Sequence, residues 1–151
     1  MSSDDMNSIK EALKQAVEMT FINKAFVDDK EAEEPAEVNF SHIIHISFSS
    51  PVEGGMILFL PTACKKMITE NIHGSNWESL STDEIDDCLL ELLNVLAGNF
   101  LNIHYGKEVG HNMTFPQLLF DESEVPKHGD YRDYFFDAEG VPFKIGLWIT
   151  G

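Results

Sequence analysis

The sequence predicts an α+β domain in which helices cover one face of a mainly antiparallel sheet of five to six strands. Three observations predict it. Apolar residues recur every three or four positions near the N-terminus and again over Thr82 to Ile103, the spacing of amphipathic helices. The period falls to two between Val38 and Phe48, the spacing of a strand packed on one side. Helix, hairpin, two helices and then three more strands is an order without the regular strand–helix alternation of a parallel sheet. At 151 residues, within the roughly 100–200 of one domain, residues 1–151 read as a single domain with residues 1–5 flexible. Hydrophobic residues at 43% and eleven Phe supply enough apolar material for one core.

The first helix is expected from Met6 to Val27, with Ile9, Leu13, Ala16, Val17, Thr20 and Phe21 along one face. Asp28 to Glu37 holds six acidic residues, one Lys and Pro35, a composition that reads as an exposed connection. In the strand Val38 to Phe48, alternation puts Val38, Phe40, Ile44, Ile46 and Phe48 on one side and Asn39, Ser41, His45 and Ser47 on the other. Ser49 to Gly55 supplies turn chemistry, and Met56 to Leu60 is a short apolar run, so the pair reads as an antiparallel hairpin whose second strand is central. Pro61 and Thr62 start a second helix that Gly74 stops after about His73.

The long helix from Thr82 to Ile103 opens on Ser81-Thr82-Asp83-Glu84, where Ser81 caps, Glu84 closes a capping box and Asp83 suits the positive helix end. Met113 to Pro116 reads as a strand, and Leu118 to Gly129 as an acidic loop containing Pro126. Tyr131 to Phe136 and Val141 to Thr150 form a closing hairpin around Asp137-Ala138-Glu139-Gly140.

Composition excludes several function classes. Ten Lys and Arg against 26 Asp and Glu give a formal charge of -16, a field that repels phosphate backbones and anionic lipid, so neither nucleic acid nor membrane is an expected partner. No apolar run approaches the ~18 residues of a membrane span, and Met1 to Asp5 lacks the basic start of a secretion signal, which places the chain in the cytoplasm. Cys64 and Cys88 read as free, packed thiols. His42, His45, His104 and His111 show no compact ligand motif, so no metal site is expected; His42 falls on the apolar strand face as a packed histidine. Gly54-Gly55 lacks the spacing and the lysine of a phosphate loop.

At about 100° per residue, Ile85, Leu89, Leu92, Leu96, Phe100 and Ile103 of the long helix face the core, while Asp87, Glu91, Asn94 and Gly98 share the opposite arc. Glu91 and Asn94 stand one turn apart and point the same way. Glycine in an exposed helix interior costs about 1 kcal/mol relative to alanine, and a close approach by another backbone would justify Gly98. An ordinary polar helix face with one tolerated glycine satisfies the same spacing.

The stretch Asp87-Cys88-Leu89-Leu90-Glu91-Leu92-Leu93-Asn94-Val95-Leu96-Ala97-Gly98-Asn99 resembles the signature helix of the CheX branch of the CheC/CheX/FliY chemotaxis phosphatases, in which Glu-x-x-Asn precedes a short Ala-Gly-Asn segment. Element order agrees from Met6 to Thr150, including a strand that ends at Phe115-Pro116. Leu90 departs from the pattern, because the family often has a small residue before the glutamate. A single Glu-x-x-Asn resembles the one-site CheX type rather than the two-site CheC type.

The resemblance implies a CheC/CheX-like fold, a homodimer paired through sheet edges, and dephosphorylation of a CheY-like receiver domain in chemotaxis or two-component signalling. The phosphoryl group of such a receiver sits on an aspartate beside magnesium, so the metal belongs to the substrate and no cofactor is expected on this chain. Asn94, an amide with both donor and acceptor, would hold the attacking water in line. Glu91 would accept a charge-assisted bond from the receiver's lysine, and Asp87 and Gly98 would belong to the docking surface. The other class open to the sequence is a non-catalytic CheX-like interaction, scaffold or effector module with the same fold and partner surface.

Overall fold

A computed structural model describes residues 3–23, 25, 29–34, 38–125, 128 and 130–150. Three α-helices run over Ser3–Asn23 (α1), Thr62–His73 (α2) and Thr82–Tyr105 (α3). Seven strands form one sheet: Asp29–Glu31 (β1), His42–Ser50 (β2), Gly54–Leu60 (β3), Asn112–Met113 (β4), Gln117–Leu119 (β5), Arg132–Ala138 (β6) and Val141–Ile149 (β7). The spatial order is β1-β6-β7-β3-β2-β4, with β5 also pairing β2, and all pairings are antiparallel.

Alternation along the strands divides two apolar clusters between the two faces. Ile44, Ile46 and Phe48 of β2, Met56, Leu58 and Leu60 of β3, and Phe143, Ile145, Leu147 and Ile149 of β7 join the buried faces of all three helices. Leu13, Ala16, Val17 and Phe21 bring α1 into this core, where Phe21 stacks on Phe143 at 4.7 Å. Ile43, Ile57, Phe59 and Trp148 face the other way and are covered by Val125, with Phe40, Leu119 and Tyr131 partly buried around them. The helices thus cover one face, as the element order predicts, and β3 is central between β2 and β7.

The local signals at the helices hold. Gly74 is left-handed at φ 66° and its N–H donates to the Glu70 carbonyl at 2.8 Å, which ends α2. Ser81 and Glu84 form the reciprocal capping box at 3.1 Å each way, and those hydrogen bonds hold the Glu84 carboxyl below its ordinary range. Cys64 and Cys88 are buried thiols outside any disulfide, and burial pushes the Cys64 thiol up to about 12.

Several elements depart from expectation. The first helix starts at Ser3 and so takes in Asp4 and Asp5, expected to be flexible; its expected end at Val27 lies outside the described residues. Within the expected connection, Asp29–Glu31 pairs with β6 in the register Asp29↔Ala138 and Glu31↔Phe136. This strand is made by backbone pairing at a charged edge, which leaves no apolar pattern to read. Strand β2 begins at His42, so the alternation of Ile44 does not extend to Phe40, which lies instead against Phe59 on the other face.

Of the strand expected over Met113 to Pro116, only Met113 is strand, at the end of β4; Thr114 still donates its N–H to the Ser47 carbonyl, and β5 starts after Pro116, which has no N–H to offer. Part of the expected acidic loop, Leu118 and Leu119, is therefore strand. The total is seven strands rather than five to six. The last strand is interior: β7 pairs β3 on one side and β6 on the other. Among the described residues, no helix is long and apolar enough to cross a membrane.

Candidate functional site

Helix α3 is fixed along one side by Ile85, Leu89, Leu92, Leu96 and Phe100, all buried. Their spacing leaves Asp87, Glu91, Asn94 and Gly98 within an arc of roughly 60° on the far side, from 100° per residue. Asp87 and Glu91 are exposed; Asn94 and Gly98 are half-buried. Among the described residues, neither the Glu91 carboxylate nor the Asn94 amide has a hydrogen-bond or ion-pair partner, so both retain their full capacity for an incoming group. Leu90 turns partly toward the core, which takes up the bulk by which it departs from the family pattern.

Gly98 does not face open solvent. A Cβ there would lie 3.6 Å from His111 Nε2 and 3.8 Å from Met113 Cε, ordinary contact distances. The group that approaches this glycine comes from the chain itself, through the connection that follows α3. Sequence reasoning missed His111 at the face, since it lies thirteen positions from Gly98 outside any periodic element. Asn99, the last residue of the Ala-Gly-Asn segment, turns the other way and donates through Nδ2 to Thr20 Oγ1 at 2.9 Å. Thr20 is 1% exposed, so this bond satisfies a buried hydroxyl and ties α3 to α1.

At the start of the same helix, Asp86 lies 3.3 Å from His42 Nε2 without hydrogen-bond geometry, and Lys65 of α2 lies 3.2 Å from His42 Nδ1. The histidine is packed, as the strand pattern predicts, and it joins β2 to α2 and α3. Burial first, and then the Lys65 charge, hold its pKa down against the opposing pull of Asp86. His45, 3.2 Å from Ser47 Oγ, is also lowered by burial. Among the described residues, no three His, Cys, Asp or Glu side chains gather as a metal-binding group.

An exposed carboxylate and a primary amide one turn apart on a rigid helix form a face that can anchor a cation and orient a water, with no group for covalent catalysis between them. The comparisons bear on the scaffold that carries this face. The family described as chemotaxis phosphatase CheX matches residues 43–136, which include all of α3. The CheX crystal structure from Desulfovibrio desulfuricans superposes with a TM-score of 0.75 at 9% identity, covering 94% of this chain and 99% of that one.

CheX from Vibrio vulnificus gives 0.73 at 16% identity over 98% and 97% of the two chains. The CheX of a CheX–CheY–BeF3–Mg complex from Borrelia burgdorferi gives 0.71 at 14%, over 95% and 98%. Among curated proteins none matches significantly. With more than half of its length matched by the family and its whole architecture shared with solved members, the chain belongs to the CheX family of chemotaxis phosphatases.

Proposed function

We propose that this chain hydrolyses the aspartyl phosphate of a CheY-like receiver domain in the cytoplasm, holding no cofactor of its own. The observation that carries the reading is the unpartnered pair Glu91 and Asn94 on one face of α3. A water oxygen bonds to phosphorus as the bond from phosphorus to the receiver's aspartate oxygen breaks, which yields inorganic phosphate and restores the carboxylate. Asn94 accepts from and donates to that water along the line of attack, and Glu91 takes the receiver's lysine. Magnesium stays with the receiver. A solved relative in complex with CheY, BeF3 and Mg supports a receiver as the partner.

A homodimer belongs to the same proposal. Since β7 is interior, a second chain would pair at β1 or on the β4 and β5 side of β2. The function is tested by incubating substoichiometric protein with each radiolabelled phosphoreceiver of its organism. Multiple turnovers are expected on at least one; no accelerated loss of label from any of them overturns the phosphatase reading in favour of an interaction module.

A further inference from the structure

The polar arc of α3 is acidic at its N-terminal end, with Asp87 and Glu91, and meets an imidazole at the other end. His111 lies over Gly98, one helical turn beyond Asn94, with Nε2 3.6 Å and Cε1 3.8 Å from the place a Cβ would occupy. Nδ1 is sealed from solvent and has no hydrogen-bond partner, whereas the ring as a whole is only half-buried. The other ring nitrogen, Nε2, is the one that lies beside Gly98.

A buried orphan N–H is the rarer and costlier arrangement than a buried orphan lone pair. The proton consequently sits on Nε2, which places a donor beside Gly98. Gly98 has no side chain to cover that nitrogen, which gives the glycine a use in this chain that periodicity alone does not supply.

We propose that His111 is a positioning residue for receiver docking, its Nε2–H donating to a carbonyl or carboxylate oxygen of the receiver beside Gly98. The inference rests on the phosphatase reading of this face and deepens it. With Glu91 accepting at one end of the arc and His111 donating at the other, the two ends differ in polarity, and only one orientation of the receiver satisfies both.

The test measures kcat and KM on a phosphorylated CheY-type receiver, and Kd for the same receiver loaded with fluoroberyllate and magnesium. The proteins are the parent chain, His111→Ala, His111→Phe and His111→Gln, with unfolding midpoints confirming that each is folded. The expected result is a rise of about 5–10-fold in KM and Kd for His111→Ala and His111→Phe, the loss of one hydrogen bond, with kcat held within ~twofold.

His111→Gln, whose amide also donates, recovers most of the loss. Unchanged KM and Kd in His111→Ala and His111→Phe overturn the proposal, as does a glutamine variant as impaired as alanine, which would make the role packing alone. A parent chain that binds the loaded receiver without turnover defeats the phosphatase reading only, and the Kd series still decides His111. A parent chain that does neither defeats both.

Discussion

Asn94 and Glu91 occupy one arc of one helix, yet their expected contributions separate cleanly. An amide that orients water acts mainly in the transition state, so Asn94→Ala should abolish turnover while leaving affinity for a phosphoryl-mimic complex of the receiver within several-fold. A carboxylate that anchors a lysine acts before and during the reaction. Glu91→Ala should therefore weaken docking and catalysis together by about 1.5–3 kcal/mol, read from binding titrations beside single-turnover hydrolysis. Neither side chain has a partner among the described residues to lose, so unfolding free energies should move by no more than about 0.5 kcal/mol. Full activity in Asn94→Ala would show that another group orients the water. These two positions were legible in the sequence because helical period alone separates them from Leu92 and Leu96. His111 was not, because its place depends on how the connection after α3 folds back across Gly98, a contact made in space that leaves no trace in periodicity.

At the scale of elements, the legible ones carry their own local cause. Helix α3 has a capping box at one end and an apolar stripe along its length, and α2 stops where glycine takes up the left-handed conformation. The illegible ones, β1 and β5, exist only because a partner strand offers its backbone to them: β6 for the acidic β1, β2 for a β5 set off by Pro116. The same reasoning gives Gly98 a double character. The helix would gain up to about 1 kcal/mol from a methyl group there, and the nearest side-chain atom, at 3.6 Å, leaves room for it. Gly98→Ala should raise the urea midpoint of the protein while increasing KM for the phosphorylated receiver, since the methyl would cover the imidazole edge. A variant more stable and equally tight in docking would leave the glycine without a role at the interface.

Across the whole molecule, three half-buried histidines set the response to acid. His42, His45 and His104 are each lowered from the ordinary 6.5, in every case chiefly by burial. Once unfolded they take protons near 6.5, whereas the folded protein keeps them neutral to lower pH. Just below 6.5 the unfolded chain thus binds more protons, and stability must fall as pH falls through that window. Urea unfolding followed from neutral pH down to about 5 should show the decline, and replacing His42 with Gln should flatten part of it. A midpoint that rises on acidification, as relief of a net charge of -16 would produce, would mean that repulsion among carboxylates outweighs the histidines.

The strand order also sets a schedule for the sheet during synthesis. Strand β3, whose seven residues are all buried, has β2 beside it as soon as the hairpin forms, but its other neighbour is β7, made about ninety positions later. Until Val141–Ile149 has left the ribosome, the apolar run Met56 to Leu60 waits with one side of its backbone unpaired. The growing chain is at that stage an open ladder that another growing chain could extend. Closure comes late and from the C-terminal side, so a ribosome stalled before Val141 would release a fragment prone to aggregate even though it already carries the whole of α3.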